Sequence, residues 1–336
     1  MTDSNLPSFI QALLRPEIYS HAAADVQLVQ THISFVLIAG DFVYKFKKPV
    51  NFGFLDFSTL DKRQHCCEQE LLLNRRLCPE IYLEVITLNK EGDGFALNGS
   101  GEVVEYGVKM ARMPEEGMMG NLIKAGKLGR EQIDAIVERL IPFYQQAERN
   151  AEIDSFGQAD KVAINILENF AQTEGFIGQG ALSQEQFDRI SAWSKDFLAQ
   201  EERFQQRISE GRIRDCHGDL YSANICFGDK VYIFDCIEFN QRFRCCDVAS
   251  DVAFLAMDLD FHGLRELSEY CMDRFSQLAD DSGLKEMLNF YKCYRAYVRG
   301  KIGLFTAGDP AVDEAVRTSC TEAAAKYFAL AETYVG

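Results

Sequence analysis

The chain has 336 residues, of which 47% are hydrophobic and 12% aromatic, and this composition is typical of an ordered globular protein with a sizeable core. Its 51 acidic residues outnumber the 35 lysines and arginines and give a formal net charge of -16, which opposes nonspecific binding to nucleic acid and to anionic membranes. We therefore predict that neither nucleic acid nor a membrane is a partner.

The cysteines and the amino-terminal segment indicate a cytoplasmic protein. The 11 cysteines contain no C-x-x-C pair, and the adjacent pairs Cys66-Cys67 and Cys245-Cys246 fit neither a disulfide framework nor a zinc site. We predict reduced thiols, most of them buried. The first residues, MTDSNLPSFIQALLRPE, include an early acid and no long apolar core, which argues against a signal peptide. No apolar run is long enough to span a bilayer, so a cytoplasmic location is predicted.

Residues 26–113 have the pattern of a small α+β lobe. The runs VQLVQ, SFVLIAG and DFVYKFKK are rich in β-branched and aromatic residues, and a Gly-Asp turn separates the last two, which predicts an antiparallel meander. A helix is predicted to begin after Ser58 or Thr59 and to end before Pro79. Strand patterns return in YLEVITL, GFAL and EVVEYGVKMARM. We therefore predict a first lobe, residues 1–113, with a β-sheet and one helix.

The remainder of the chain has mainly helical patterns. The segment SQEQFDRISAWSKDFLAQEERFQQRISEG predicts one long amphipathic helix, opened by a capping box of Ser183 and Gln186. Helical patterns resume at about Asp247. Between these regions, the dipeptide GD joins NICF to KVYIF and predicts a β-hairpin with a two-residue turn. We therefore predict a second lobe, residues 114–336, that is helical and contains this hairpin.

Three oxygen-bearing side chains accompany the hairpin in the stretch CHGDLYSANICFGDKVYIFDCIEFN. With a two-residue turn, Asn224 and Asp235 share one face of the hairpin and are diagonal neighbours. An amide oxygen and a carboxylate suit a hard cation such as Mg²⁺. We therefore predict Asn224 and Asp235 as metal ligands, while Asp219 lies in the loop that enters the hairpin.

The same stretch resembles a known catalytic motif. HGDLYSAN followed by IFD resembles the catalytic loop and metal-binding aspartate of kinase-like phosphotransferases, in particular the aminoglycoside phosphotransferase family with its choline-kinase-like and fructosamine-kinase-like relatives. His217, Asp219, Leu220 and Asn224 match the H-x-D-L-x-x-x-N pattern. The segment CDVASDVAFLAMDL resembles the downstream aspartate motif of that family, with Asp251 as its structural member.

The first lobe resembles the same family. VYKFKKPVNFGFLDFSTLDKR and CEQELLLNRRLCPEIYLEV are similar to an uncharacterised bacterial branch that is sometimes fused to a P-loop domain, which we do not expect in this chain because it has no P-loop motif. The resemblance places Lys45 at the phosphate-binding lysine of the third strand and Glu70 at the helix glutamate that pairs with it. Lys47 and Lys48 are alternatives to Lys45, and Glu68 is the alternative to Glu70. The position of the lysine in the family favours Lys45. We therefore expect the substitution Lys47→Met to have only a mild effect on turnover.

The resemblance implies an α+β, bilobal protein-kinase-like fold with a small, mainly β amino-terminal lobe and a larger helical carboxy-terminal lobe. It implies an enzyme that uses ATP and Mg²⁺ and transfers the γ-phosphoryl group of ATP to a hydroxyl of a small molecule. Asp219 would accept the proton of that hydroxyl. His217 and Asp251 would have structural roles.

Two sequence features known from protein kinases are missing from this chain. No G-x-G-x-x-G lies between the first strands, where QTHISFV stands instead, so Thr31 and Ser34 are the candidates for covering the phosphates of ATP. No A-P-E motif follows Asp235, which favours a small-molecule kinase over a protein kinase. The alternatives are a nucleotide-binding regulatory protein with a kinase fold and a protein kinase.

Three further side chains are candidates for contacts with substrate. Arg295 and Arg299 share a helical face with Lys292 in KCYRAYVRGK, and this face is interpreted either as solvated or as a contact for a substrate phosphate. Glu238, together with Asp258 and Asp260 further along the chain, is a candidate for an electronegative acceptor pocket, with an ordinary acidic surface as the alternative. The sequence identifies neither the acceptor nor a protein partner.

Overall fold

A computed structural model describes residues 6–310 and 312–336. It divides into two compact units, the first comprising residues up to Gly117 together with Cys226–Asn240, and the second Met118–Ile225 together with Gln241–Gly336. Residues 1–5 lie outside the described residues. They belong to the amino-terminal segment that is predicted from the sequence not to be a signal peptide. Within the described ranges, no helix combines the length and apolar character needed to cross a membrane.

A six-stranded antiparallel sheet forms the centre of the first unit, with the strand order β1-β2-β3-β6-β4-β5. Helix α1 (Ser8–Leu13) precedes the sheet, and helix α2 (Leu60–Asn74) connects β3 to β4. The predicted meander and helix α2 are confirmed, whereas the sequence pattern did not indicate α1. The strands are β1 (Val26–Gln30), β2 (Ser34–Ala39), β3 (Phe42–Lys47), β4 (Tyr82–Glu91), β5 (Gly94–Leu97) and β6 (Glu102–Ala111).

Strand β3 carries apolar side chains on one face and lysines on the other. Tyr44 and Phe46 are buried in the hydrophobic core of the first unit, together with Leu37 of β2. Because side chains alternate between the two faces of a strand, Lys45 and Lys47 lie on the opposite face. Strand β3 pairs with β2 on one side and with β6 on the other, so these lysines lie within the sheet rather than at its edge.

Helix α2 is capped at its start and anchored to the sheet. Thr59 Oγ1 accepts a hydrogen bond from the backbone N–H of Lys62 at 3.4 Å, which identifies Thr59 as the N-cap. The helix packs against β4 and β6. Arg63 Nε donates to both carboxylate oxygens of Glu105 on β6, at 2.8 and 3.0 Å. This buried ion pair fixes the face of α2 that also carries the buried Glu70.

The second unit is mainly helical. A short antiparallel pair, β7 (Ile213–Asp215) with β10 (Cys245–Asp247), lies beside the start of α10. The helical pattern predicted from Asp247 is confirmed by the last four helices. The helices are α3 (Met119–Lys124), α4 (Arg130–Gln146), α5 (Ala151–Ser155), α6 (Ala159–Thr173), α7 (Gln184–Leu198), α8 (Glu201–Ser209), α9 (Gln241–Arg244), α10 (Val248–Phe261), α11 (Arg265–Leu278), α12 (Leu284–Gly308) and α13 (Glu314–Thr333).

The long helix predicted after Ser183 is wrong in one respect, because it is divided into α7 and α8. The capping box is confirmed, since Gln186 N donates to Ser183 Oγ at 3.1 Å and Ser183 N donates to Gln186 Oε1 at 3.1 Å. The break falls at Gln200, whose φ of -86° and ψ of 60° are not helical. Phe197 of α7 and Phe204 of α8 both pack against Phe290, with ring centroids 4.3 and 5.8 Å away, and a bend allows both contacts.

Strands β8 (Ile225–Phe227) and β9 (Val231–Ile233) form the predicted hairpin. The predicted two-residue turn, with Phe227 opposite Lys230, is wrong. The connection is residues 228–230, closed by a hydrogen bond from Gly228 N to Lys230 O at 2.9 Å. The extra residue changes the register on which the diagonal placement of Asn224 and Asp235 was based.

The hairpin also differs from the prediction in its packing. The lobe predicted as residues 114–336 included it, whereas Cys226–Asn240 packs with the first unit. Cys78 Sγ, just after α2, donates to Ile233 O at 3.2 Å. A Cβ atom on Gly117 would lie 2.0 Å from Phe227 O, so only glycine permits this close approach. These contacts account for the inclusion of the hairpin in the first unit.

Most of the cysteines are buried, as predicted. Nine of the 11 are buried, while Cys246 and Cys320 are partly exposed. Burial raises the pKa of the Cys67 thiol to about 12, so this thiol is protonated at neutral pH and is a poor nucleophile.

Candidate functional site

Lys45 lies between two carboxylates of the first unit. Its Nζ atom is 2.8 Å from Glu70 Oε1 and 2.5 Å from Asp235 Oδ1. Burial opposes the charge on Lys45, but Asp235 and Glu70 outweigh it and hold the pKa of Lys45 well above its ordinary value. Lys45 is therefore charged at neutral pH, and the predicted contact with Glu70 is present.

Glu70 is fully buried and shared by two lysines. Its Oε2 atom is 2.8 Å from Lys47 Nζ, so each carboxylate oxygen has its own lysine. Burial opposes ionisation, but the two lysines lower the pKa of Glu70 to about 2. Glu68, the alternative predicted from the sequence, is exposed and accepts a hydrogen bond from Gln64 Nε2 at 2.9 Å. The structure thus brings Glu70, and not Glu68, to Lys45.

Lys47 also has a buried ion pair of its own. Its side chain is 1% exposed, and Nζ contacts both Glu70 and Glu238. The ammonium group lies 4.8 Å from the centroid of the Phe57 ring. Burial raises the pKa of Glu238, whose side chain is 5% exposed. This burial contradicts the interpretation of Glu238 as the lining of an acceptor pocket.

The backbone at Asp235 is held in an uncommon conformation. Its φ of 62° lies in the left-handed region, which is costly for residues other than glycine. Asp235 N donates to the buried Tyr82 Oη at 3.1 Å, and Cys236 N donates to Asn74 Oδ1 at 2.8 Å. Neither Tyr82 nor Asn74 was indicated by the sequence pattern. Together they position the aspartate so that its side chain remains 43% exposed.

The side chains predicted to bind a metal offer oxygen atoms of the required kind. Asn224 Nδ2 donates to Asp219 O at 2.9 Å and to Asp219 Oδ2 at 3.0 Å, which leaves the amide oxygen of Asn224 directed elsewhere as an acceptor. Asp235 supplies a partly exposed carboxylate. This donor set fits Mg²⁺. Asn224 and Asp235 belong to different units, and their convergence on one ion stays a prediction. In the part of the chain that is described, no three His, Cys, Asp or Glu side chains cluster as a metal site.

The turn between β1 and β2 uses most of its backbone donors internally. Thr31 N donates to Ser34 O at 3.0 Å, while Ser34 N and Ile33 N donate to Thr31 Oγ1 at 2.9 and 3.3 Å. Ser34 is 1% exposed. The predicted phosphate contact at Thr31 and Ser34 therefore finds no free donor among these three amides.

In the second unit, a buried aspartate of α10 holds the loop that follows β7. Asp251 Oδ2 accepts hydrogen bonds from His217 N at 2.9 Å and from Tyr144 Oη at 2.8 Å, and Asp251 Oδ1 accepts one from Gly218 N at 2.8 Å. Gly218 has a φ of 87°, which favours glycine at this position. The contacts expected of a structural Asp251 are therefore present.

His217 and Asn224 orient the half-buried Asp219 within this loop. Asp219 N donates to His217 Nδ1 at 3.2 Å, and the imidazole itself is fully buried. This is the orienting contact predicted for His217. The hydrogen bond from Asn224 Nδ2 to Asp219 Oδ2 fixes the carboxylate. An oriented carboxylate in a loop is suited to accepting a proton from a bound hydroxyl.

The basic face predicted on α12 is not solvated. Lys292 and Arg295 are 6% and 4% exposed. Arg295 Nη1 donates to Gly218 O at 3.0 Å and Nε to Ser250 O at 3.2 Å, so this arginine supports the Asp219 loop. These hydrogen bonds give Arg295 a structural role in place of the predicted contact with substrate. Arg299 lies 4.8 Å from the Tyr221 ring, beside the same loop.

Asp258, seven residues after Asp251 on α10, anchors the other end of the loop. It is 2% exposed, and its Oδ2 atom accepts a hydrogen bond from Ser222 N at 3.0 Å. Residues seven apart lie on the same side of an α-helix, so one helix face holds both ends of the loop. The interpretation of Asp258 as surface or pocket lining is wrong. The seven-residue spacing of two acids in the apolar segment DVAFLAMD was the available sequence signal.

We expect Asp251→Ala to lower both stability and any activity that depends on Asp219. The substitution leaves two buried backbone N–H groups without their acceptor, at a cost of about 1–3 kcal/mol each. Tyr144→Phe, which removes one of the three hydrogen bonds, should cost only about 1 kcal/mol. Thermal melts measure the loss of stability, and an assay of that activity measures the second effect. Equal melting temperatures for Asp251→Ala and Tyr144→Phe would contradict the assigned role of Asp251.

Comparison with known sequences identifies relatives without a described activity. Uncharacterised proteins of Mycobacterium tuberculosis and Mycobacterium bovis are 34% identical to this chain over 297 residues, which cover 87% of this chain and 58% of each relative. The chain therefore spans less than two thirds of the length of these relatives. No family model matches the chain.

Comparison with solved structures identifies the fold. An ethanolamine kinase of Plasmodium vivax aligns with 91% of this chain and 81% of its own, with 11% identity and a TM-score of 0.50. A choline/ethanolamine kinase family protein of Mesorhizobium loti aligns with 96% of this chain and 97% of its own, with 10% identity and a TM-score of 0.51. The chain has the kinase-like fold of these proteins. The fold class predicted from the sequence, and its resemblance to the choline-kinase-like fold, are confirmed.

Proposed function

We propose that this protein is a small-molecule kinase that transfers the γ-phosphoryl group of ATP to a hydroxyl. The observation that carries the proposal is the position of Lys45, a charged lysine held at 2.8 Å by the buried Glu70 and at 2.5 Å by the partly exposed Asp235. Binding of a nucleoside triphosphate with Mg²⁺ requires this arrangement, in which a fixed cation lies beside a carboxylate that can bind a metal.

Each remaining predicted side chain has a role in the proposal. Lys45 would bind the phosphates, and Asn224 and Asp235 would hold Mg²⁺, which when bound neutralises charge on the phosphates. Asp219 would accept the proton of the acceptor hydroxyl, oriented for it by Asn224 and His217. Phosphoryl transfer depends mainly on positioning and charge neutralisation, so these groups are sufficient.

The acceptor is proposed as a class and not as a compound. The structural neighbours are named as kinases of ethanolamine and choline, which are amino alcohols. At 10–11% identity the substrates of these neighbours cannot be assigned to this chain. The shared fold nevertheless supports a small compound with a hydroxyl group as the acceptor. A cytoplasmic location and the absence of nucleic-acid and membrane partners are part of the same proposal.

Two other functions are compatible with the fold. A nucleotide-binding regulator would keep the fold without catalysis and would be expected to lack one of the catalytic side chains. None is missing, because the sequence contains Lys45, Asp219, Asn224 and Asp235. A protein kinase would place label from ATP in protein. Incubation with labelled ATP and cell lysate therefore separates these cases: label in small molecules supports the proposal, label in protein supports a protein kinase, and ATP binding without transfer supports a regulator.

The most direct experiment is a screen of ATP consumption with amino alcohols, amino sugars, sugars and nucleosides. We expect one of these classes to stimulate consumption of ATP in the presence of Mg²⁺, and Asp219→Asn to abolish the stimulation. A protein that binds no Mg-nucleotide in calorimetry would contradict the proposal.

We expect Asp235→Ala to weaken Mg-ADP binding strongly and to leave the fold intact. The side chain is 43% exposed, so its removal leaves no buried cavity, but it removes a proposed metal ligand. Asp229→Ala is a matched control, because it removes a carboxylate from the loop of the same hairpin, where Asp229 accepts a hydrogen bond from Tyr232. Calorimetry that shows the same Mg-ADP affinity for both variants would exclude Asp235 as a ligand.

A further inference from the structure

The second lysine of β3 is buried more deeply than the lysine that would bind phosphate. The Lys47 side chain is 1% exposed, against 14% for Lys45. Its two partners, Glu70 and Glu238, are 0% and 5% exposed. Lys47 therefore has no access to a ligand and contacts only the interior of the first unit.

A buried ion pair is poorly explained by stability alone. Removing two charges from water costs several kcal/mol, and well-packed apolar side chains usually stabilise such a position as well or better. The face of β3 that carries Lys47 lies near the Phe57 ring, an environment in which an apolar side chain would pack readily. The charges are better explained by the positions that they impose on their partners.

The contacts of Lys47 connect two segments that are proposed to bind the nucleotide. Through Glu70 Oε2, Lys47 fixes the carboxylate whose other oxygen holds Lys45. Through Glu238, it fixes the chain three residues after Asp235. Tyr82 and Asn74 hold the backbone immediately at Asp235 by hydrogen bonds, and the Lys47–Glu238 pair adds a charged contact further along.

The direct contact between Lys45 and Asp235 cannot hold the Asp235 segment in place while a nucleotide is bound. On the proposed function, Lys45 would bind phosphates and Asp235 a metal ion, so both groups acquire new partners. The Lys47–Glu238 contact is buried and faces no ligand. It would therefore stay in place in either state and keep the Asp235 segment beside Glu70.

We propose that Lys47 and Glu238 are positioning residues: by holding Glu70 and the segment after Asp235, they place Lys45 and Asp235 to receive a magnesium nucleotide. This inference rests on the proposed function. The loss of partners that orient ligands typically lowers metal affinity by about 10–100-fold. Because Glu238 acts on the Asp235 segment, its removal should affect the contribution of Mg²⁺ more than the affinity for the nucleotide alone.

The test is calorimetric titration of ADP, with Mg²⁺ and with EDTA, into the full chain and its variants. We expect Glu238→Gln to weaken Mg-ADP binding by about 10-fold or more while changing the affinity for metal-free ADP little. The control is Glu105→Gln, which perturbs the other buried ion pair of α2, with Arg63, and should lower the melting temperature without changing either affinity. An unchanged Mg-ADP affinity in Glu238→Gln would overturn the proposal.

A second variant covers the case in which Glu238→Gln does not fold. The double variant Lys47→Met with Glu238→Gln removes one cation and one carboxylate, and we expect it to fold and to bind Mg-ADP weakly. Wild-type affinity in the double variant, or its failure to fold, would assign the pair a purely structural role and overturn the proposal. If the wild-type protein itself binds no Mg-ADP, the proposed function fails first, which distinguishes the two failures.

Discussion

Asp219→Asn is expected to lower the rate of phosphoryl transfer by about 10²–10⁴-fold, the usual contribution of a positioned acid or base. The substitution keeps the shape of the side chain but removes its negative charge and its ability to accept a proton. Its contacts lie within the loop, where Asn224 Nδ2 donates to Asp219 Oδ2 at 3.0 Å and His217 Nδ1 accepts from Asp219 N at 3.2 Å. The backbone contact does not depend on the carboxylate, so the loop should keep its conformation.

Nucleotide binding should therefore survive in Asp219→Asn while transfer is lost. Turnover with the acceptor found in the screen and calorimetry with Mg-ADP measure the two quantities separately. Asp273→Asn is a control in the same unit, because Asp273 is 65% exposed and its ion pair with Lys285 lies on the surface. Asn224→Ala should instead reduce both binding and transfer, since this residue contacts Asp219 and is a proposed metal ligand. Near-normal turnover of Asp219→Asn would contradict its role as a base and favour a regulatory function.

Much of the fold could be predicted because its elements are specified locally. The meander β1-β2-β3 follows from alternating apolar residues and short turns, and the start of α7 follows from the capping box of Ser183 and Gln186. The division between α7 and α8 could not be predicted in this way. It allows Phe197 and Phe204 to pack on Phe290, about ninety residues away in the sequence.

The candidate site shows the same difference between local and distant information. The spacing of His217, Asp219 and Asn224 lies within one loop and is visible in the sequence as a motif. By contrast, the contacts of Lys47 and Asp258 depend on partners from other elements. Lys47 acquires Glu238, 191 residues away, and Asp258 binds Ser222 N, 36 residues away. Exposed and buried charged residues cannot be told apart in a sequence, so Lys47 was assigned a secondary role and Asp258 was assigned to the surface or to a pocket.

Lys45→Met and Lys47→Met should differ strongly in their effect on stability, although the two lysines are only two residues apart on one face of β3. Lys45 is the partly accessible member, and its side chain contacts Asp235, which is 43% exposed. Its removal leaves Glu70 paired with Lys47 and leaves Asp235 accessible to water. We therefore expect a small change in melting temperature and a fall in turnover of about 10²–10³-fold, as for the loss of one preorganised group that stabilises transition-state charge.

Lys47→Met should lower stability strongly and, because Lys47 is proposed to position Glu70 and the segment after Asp235, it should also weaken Mg-nucleotide binding by the folded protein. It removes the cation that contacts both Glu70 and Glu238, two carboxylates that are 0% and 5% exposed, and breaking such a buried pair costs about 3–5 kcal/mol. The expectation from the sequence alone, that this substitution is mild, does not take account of the burial. Melting curves of both variants, with turnover normalised to the folded fraction, provide the comparison. If Lys47→Met kept the wild-type melting temperature while Lys45→Met unfolded the protein, the assignment of the accessible cation to Lys45 would be wrong, and Lys47 would become the lysine that faces the nucleotide.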